Sequence, residues 1–366
     1  MSLLFEPLEL RGVRLRNRIG VAPMCQYSAT DGIPDDWHLV HLASRAVGGA
    51  GLVMTEATAV TPEGRITPGC TGIYDDGQAT AWARIAAAIT GQGAVAGIQL
   101  AHAGRKASTT PPWESGETWL GAADGGWPIV GPSPLPFEDG AIIPRELDEA
   151  GIAAIVTAFA EAARRAVDVG FELVEVHAAH GYLLHSFLSP LANERTDRYG
   201  GDRDGRMRLV CEVTAAVRAA VGEQVPVLVR ISASDWAPGG WDIDDSVVLA
   251  ERLREVGADM IDCSSGGAVP HATIEVGPGY QVPFAAQIRA EANIPTAAVG
   301  MITTPEQAED VLVDGAADLV LIARESLRDP YFPLYAAAEL DAMDVVEVPL
   351  QYARGLSRRR GGAPLD

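Results

Sequence analysis

Two histidines and a tyrosine lie close together in the segment VEVHAAHGYLL: His177, His180 and Tyr182. Imidazole N–H groups converging on one point can hold a carbonyl oxygen and stabilise charge developing on it, and a phenol beside them can give or take a proton. Along an extended chain Leu173, Glu175 and His177 share one face while Val174 and Val176 share the other, so His180 would point away if the strand ran on. For both rings to meet in one pocket the chain must turn at Ala178 and Ala179, and Gly181 then permits close approach ahead of Tyr182. Metal ligation and satisfied polar packing are the alternatives for the two histidines. No third Asp, Glu, Cys or His stands at an accepted metal spacing, so a metal site is not expected.

A second group is APMCQY, Ala22 to Tyr27, where small residues and Pro23 let backbone approach a planar ligand. Cys25 and Tyr27 alternate onto one side, as a soft thiol and a phenol facing a ring, or as a cysteine packed like a small hydrophobe. Three apolar segments end in polar residues: Gln99 in IQLAHAG, Arg230 in VLVRISASD and Arg324 in LVLIARESL. Leu228, Arg230 and Ser232 share a face, and a buried guanidinium must find an anion or several acceptors. An internal salt bridge, for example to Glu175, would satisfy Arg230 alone; a phosphorylated cofactor would explain Arg230 and Arg324 together. Of the 28 basic residues, 27 are arginine, and the single lysine, Lys106, has no assigned role.

These residues need a scaffold. Short aliphatic runs at 18–24, 51–60, 95–101, 173–177, 225–232, 260–264, 296–301 and 319–324 read as eight buried strands. Amphipathic stretches between them, among them 78–90, 148–169, 207–221, 245–256 and 305–314, end at Gly91, Gly170, Gly222, Gly257 and Gly315. Eight such strands alternating with helices predict an α/β fold, a single (β/α)8 TIM barrel over residues 1–355. The rival, a doubly wound open sheet, lacks a G-x-G-x-x-G after any strand. Chemistry in a barrel sits at the C-terminal strand ends. Two long insertions, after the third and fourth strands, would cap the mouth and wall the pocket. The tail at 356–366, LSRRRGGAPLD, reads as disordered.

Composition narrows the partners. The 366 residues carry a formal net charge of −21, with 28 basic against 49 acidic side chains, which disfavours nucleic acid and anionic membrane surfaces. No apolar run approaches a membrane span, the first residues lack a signal-peptide pattern, and a cytoplasmic location is expected. Cys25, Cys70, Cys211 and Cys263 show no C-x-x-C spacing, against a zinc ribbon or an iron–sulfur cluster.

APMCQYSA, IQLAHAGRKA, HAAHGYLLHSFLSPLANERTDRYGG, VRISASD, DCSSGG, VGMI and IARESLRDP together resemble the old yellow enzyme family of FMN-dependent ene reductases. The likeness is closest to its cysteine-containing, thermophilic-like bacterial branch. The resemblance implies FMN at the barrel mouth, NADPH or NADH as reductant, and hydride transfer from flavin N5 to the β-carbon of an enone or nitroalkene while a proton reaches the α-carbon. It further implies that His177 and His180 bind the substrate carbonyl, Tyr182 donates the proton, Cys25 lies near the flavin, and Tyr27 bonds substrate. By the same likeness Ala22, Pro23, Met24, Ala57, Gln99 and Arg230 would contact the isoalloxazine, and Gly300, Ala323 and Arg324 the phosphate. Arg354 would enter a neighbouring subunit's site, implying a homodimer or homotetramer. Ala323 replaces the usual glycine beside the phosphate arginine, and Gly205 replaces an asparagine, weakening the cap of the helix it precedes. The rivals are an amine or N-demethylating flavin dehydrogenase on the same barrel and a flavin-free phosphate-binding lyase or isomerase.

Overall fold

The computed structural model describes residues 2–114 and 118–356. The eight apolar segments close on one another as β1 (Ile19–Val21), β2 (Leu52–Ala59), β3 (Val95–Ala101), β4 (Leu173–Ala178), β5 (Val227–Ser232), β6 (Met260–Ser264), β7 (Thr296–Ala298) and β8 (Leu319–Ile322). They pair in parallel in chain order, and β8 returns to β1 with Leu321 opposite Gly20. The main outer helices are α1 (Asp36–Val47), α2 (Asp76–Thr90), α3 (Glu149–Asp168), α4 (Arg203–Val221), α5 (Ile243–Glu255), α6 (Val282–Ala292), α7 (Pro305–Val313) and α8 (Phe332–Glu339). The predicted (β/α)8 barrel is the fold observed.

The strand period of two sorts the core into two shells. Leu52, Met54, Val95, Leu173, Leu228, Met260, Leu319 and Leu321 fill the barrel, while Val53, Ile98, Val174, Val176, Val229 and Ile261 pack outward on the helices. An antiparallel hairpin, Leu8–Leu10 with Val13–Leu15, adds Leu10 and Leu15 to the inner shell and closes the N-terminal end. Among the described residues, the C-terminal end of the barrel carries a ligand-sized cleft. Asp75, Asp148, Asp202, Asp242 and Thr304 each accept the backbone N–H three residues on, capping α2, α3, α4, α5 and α7 for about 1 kcal/mol apiece.

Both long insertions lie where expected. The one after β3 makes turns at Gly104–Lys106 and Ala122–Asp124 and a short ladder between Val130–Gly131 and Arg145–Glu146. Buried Arg105 fastens it by donating to the carbonyls of Ala268, Leu135 and Pro136. The one after β4 begins with a short helix, Leu183–Leu188, and Arg195 ties it to the first through the carbonyls of Pro132 and Leu147.

Several local expectations are corrected. The ends of β1, β7 and β8 leave the ladder earlier than predicted: Gly300 has φ 138°, Met301 φ 52°, and the chain at Arg324 enters a short helix, Arg324–Arg328. The turn after His177 comes at His180 and Gly181 instead of Ala178 and Ala179, because β4 stays paired with β5 through Ala178. Gly205 does not weaken the start of α4. Asp202 supplies that cap, and a Cβ at Gly205 would clash with the Gly200 carbonyl. Residues 357–366, which hold nearly all of the predicted tail, lie outside the described residues.

Candidate active site

His177 ends the inward face of β4, directly beside Arg230 on β5. Its Nδ1 accepts the Ala179 N–H at 3.2 Å, so the ring proton sits on Nε2, which lies 3.4 Å from His180 Nδ1. His180 has φ 60°, a left-handed backbone that swings its side chain back towards His177. Ser232 Oγ holds the His180 N–H at 2.9 Å, and Ser264 Oγ lies 2.7 Å from His180 Nε2. The Gly181 N–H donates to His185 Nδ1 at 2.8 Å, and His185 Nε2 pairs with Asp235 at 3.0 Å, both side chains fully buried. Tyr182 then falls edge-on to both rings, its centroid 5.1 Å from His177 and 6.5 Å from His180.

Burial pushes both imidazoles well below their usual range and Arg230 reinforces it, so both are neutral at pH 7. Burial pushes the Tyr182 phenol up, keeping its proton in place. Gly181 has φ 74° and faces the Gly267 carbonyl so closely that a Cβ would clash with it. Gly181→Ala is therefore expected to cost the left-handed penalty of about 1–2 kcal/mol plus the displacement of that carbonyl, disordering the His180 turn. Thermal unfolding together with loss of ligand affinity would check this; an unchanged melting temperature would refute it.

Lys106, unassigned from sequence, is at the centre of the group. Its Nζ donates to the His180 carbonyl at 2.9 Å and the Gly267 carbonyl at 3.3 Å, clamping the two turns. It also lies 5.3 Å from the Tyr182 ring centroid and 4.5 Å from that of Phe137, and burial lowers its pKa to about 8. Cys25 and Tyr27 lie side by side, as predicted, close enough for each to influence the other's ionisation. Burial pushes both up, so the thiol is not a thiolate at pH 7. Tyr27 has φ 49°, outside the strand, and its ring meets Trp113 edge-on at 5.5 Å.

Glu56 props this segment from behind. One oxygen accepts the Gln26 N–H at 3.1 Å and the other lies 3.1 Å from His38 Nε2, both side chains buried. Burial pulls the His38 imidazole down, but Glu56 and then Asp35 outweigh it, and its pKa ends above the ordinary value. The pair's contribution is thus complete below the unfolded pKa of about 6.5 and is lost as pH rises through the folded value. His38→Ala should cost roughly 3–5 kcal/mol at low pH by stranding Glu56, and less once that folded value is passed. Denaturant melts at several pH values check this; a deficit that grows with pH contradicts it.

The other predicted residues lie on the barrel strands or just after them. Ala22, Pro23 and Met24 follow β1, and Ala57 sits past a register shift in β2, opposite Gln99. Gln99 Nε2 donates to Glu175 at 2.8 Å. Arg230 pairs with Asp262 at 3.2 Å rather than with Glu175, an acid the sequence reading overlooked because DCSSGG reads as a plain strand end. A cleft of about 210 Å³ is lined by Arg230, Tyr280, Gln281, Gly300, Ala323 and Arg324. Among the described residues Arg324 has no ion pair. Arg354 stands exposed in the short terminal helix Ala353–Leu356. Sequence reading placed Ser232 on the Arg230 face without giving it a role, and missed Ser264, His185 and Asp235. Of these only His185, five residues after His180, carried a signal.

A barrel with two neutral imidazoles, a protonated phenol and a basic cleft at its C-terminal mouth suits a redox cofactor and a carbonyl-bearing substrate. Residues 3–342 match the model of the NADH:flavin oxidoreductase / NADH oxidase family, and the chain belongs to that family. It is 47% identical to an NADPH dehydrogenase of Geobacillus thermodenitrificans, over 97% of this chain and 98% of that protein. With the NADPH dehydrogenase of Bacillus subtilis it shares 44% identity over 96% and 98%. Its fold superposes on the old yellow enzyme homologue of Zymomonas mobilis with a TM-score of 0.78, 27% identity and 92% of each chain covered. Morphinone reductase in complex with tetrahydroNAD gives 0.76 at 28% identity, with 93% of this chain and 91% of that one covered. The chain is thus an FMN-dependent oxidoreductase with a reduced nicotinamide as its reductant, which sets aside the flavin-free lyase or isomerase. No helix among the described residues is long and apolar enough to cross a membrane.

The residues present fit FMN. A phosphate needs donors and a cation without a partner, and Arg324 beside the glycine backbone at Gly300 offers both. The flavin's N1–C2 carbonyl edge needs a donor from the barrel floor, and Arg230 Nε is buried without a well-aimed acceptor even beside Asp262.

Proposed function

We propose that this protein is an ene reductase, reducing the activated C=C bond of small α,β-unsaturated carbonyl or nitro compounds. The observation that carries the reading is the convergence of His177, His180 and Tyr182 around one point, with both imidazoles neutral and the phenol protonated. Bound FMN supplies the hydride chemistry, accepting a hydride from NADPH or NADH and delivering one to the substrate's β-carbon. The chain supplies the rest. The His177 Nε2–H is one donor to the substrate oxygen. His180 is the second, through Nδ1, in the tautomer reached when the Ser264 hydroxyl turns from Gln281 Oε1 to His180 Nε2, 2.7 Å away. These two N–H groups polarise the C=C bond and hold the charge that develops on oxygen. Tyr182 then delivers a proton to the α-carbon. Cys25 and Tyr27 line the substrate's other side. Ala22, Pro23, Met24, Ala57, Gln99 and Arg230 hold the ring system, and Gly300, Ala323 and Arg324 the phosphate.

The chain further acts as a homodimer or homotetramer in which Arg354 reaches a neighbouring copy's site. Exposed Trp37 and Val40 on α1, and Leu350 and Tyr352 near Arg354, support this. Its cytoplasmic location goes with the absence of a long apolar helix among the described residues. An anaerobic visible spectrum tests the function: flavin bands should bleach with NADPH and return on adding cyclohexenone. Bleaching with an amine and no return with the enone would instead establish the amine dehydrogenase.

A further inference from the structure

The barrel floor holds charges that the reaction above does not use. Glu175 on β4 and Asp262 on β6 are fully buried on either side of β5, whose Arg230 is opposite Asp262 in register. Gln99 donates to Glu175 Oε1 at 2.8 Å. Arg230 Nε lies 3.2 Å from Asp262 Oδ2 but is too poorly aimed for a hydrogen bond. Glu175 Oε2 and both Asp262 oxygens are consequently left without a donor, although the two carboxyl groups are in hydrogen-bonding contact with each other. Two carboxylates only accept, so neither can satisfy the other while both are ionised. One guanidinium, moreover, offsets one buried carboxylate and leaves the second uncompensated. A single proton resolves both problems.

We propose that Glu175 is a buried carboxylic acid whose Oε2–H is donated to Asp262, a positioning residue that leaves Arg230 facing one counter-charge and free to serve the flavin. The proton belongs on Glu175 because Asp262 adjoins the guanidinium, and on Oε2 because Gln99 already donates to Oε1. Burial, then Asp262, raises Glu175 to about 8 against the pull of Arg230. Asp262 is itself raised by burial, while Arg230 and the Glu175 donor hold it down. The surroundings add little: on β4 itself His177 is neutral, β3 presents uncharged Gln99, and Met54 on β2, Leu321 on β8, and Ala22 and Val299 just past β1 and β7 are apolar.

Above about pH 8 Glu175 ionises and Arg230 faces two carboxylates. Adding negative charge to the flavin edge is then disfavoured unless Glu175 takes its proton back from solvent. The midpoint potential of bound FMN should therefore fall more steeply with pH above that point, with up to one more proton taken up per flavin reduced. Glu175→Gln can donate to Asp262 and accept from Gln99 but has no proton to lose, so its potential should show no such break. Parallel curves for the two proteins overturn the proposal.

This inference rests on the reading that Arg230 faces the flavin, and the spectrum of bound FMN checks that reading separately. Infrared spectroscopy of the wild-type protein reads the acid directly and does not depend on the variant folding. A carboxylic acid carbonyl stretch should be present at neutral pH, shift in D2O, and vanish as pH passes about 8. Absence of that band overturns the proposal whatever the variant does. A band with parallel potential curves overturns the role towards the flavin.

Discussion

Tyr182→Phe should slow reoxidation of the flavin by an enone about 10²–10⁴-fold, the range a positioned general acid supplies, while reduction by NADPH keeps its rate. The asymmetry follows from where the phenol stands. Tyr182 lies edge-on to the two histidines that hold the carbonyl, and hydride donation by NADPH asks no side chain for a proton. The substitution removes one oxygen and preserves the ring that packs near Ala103, Ala107 and Ile129. A loss of fold is therefore not expected to confuse the result. Burial makes the phenol a reluctant acid, and Lys106, 5.3 Å from its ring centroid, offsets part of the charge left when the proton departs. Lys106→Met should accordingly slow the same half-reaction in the same direction, by less. Stopped-flow traces of the two half-reactions decide the matter. Equal slowing of both by Tyr182→Phe would remove the proton-donor role and leave Tyr182 as packing.

How far the sequence led depended on the range of the interactions involved. The barrel was legible because each strand's alternation is local, with Leu173, Glu175 and His177 inward and Val174 and Val176 outward, and because eight such strands have few ways to close. The loop after β4 was legible in outline: both imidazoles do face one pocket. The position of the turn was not, since His180 takes its left-handed backbone from contacts that sequence spacing cannot show. Gly267 presses on Gly181, and Ser232 on β5 holds the His180 N–H. Lys106 stood out only as the one lysine. Its partners are backbone carbonyls, His180 more than 70 residues away, and a carbonyl leaves no mark on composition. Arg230 was expected to seek an anion and Glu175 was offered, but Asp262 on the far side of β5 won, because register rather than proximity in sequence decides which inward residues meet.

Replacing His177 and His180 together by alanine should weaken binding of a phenolic ligand by roughly 10²–10⁴-fold, two hydrogen bonds to a charged oxygen being worth about 1.5–3 kcal/mol each. The readout is the charge-transfer band that a phenolate forms against oxidised flavin. Arg230 and the flavin remain in that variant, so a retained band of normal strength would mean that the imidazoles do not hold the ligand oxygen. The pH dependence is a second and sharper test of their protonation. Burial and Arg230 keep both rings neutral, so they lose no proton across the usual histidine range. Affinity for the phenol should rise as the ligand itself ionises and show no fall between about pH 6 and 7. A fall there would mean that an imidazolium binds the oxygen, and with it that Arg230 is fully offset by its carboxylates. Since the two histidines are 5.1 Å apart between centroids and share Arg230 as neighbour, their single substitutions should not add. His180→Asn, which keeps an N–H, should recover part of what His180→Ala loses, whereas no uncharged replacement for His177 keeps both its Nε2 donor and the Nδ1 that accepts from Ala179.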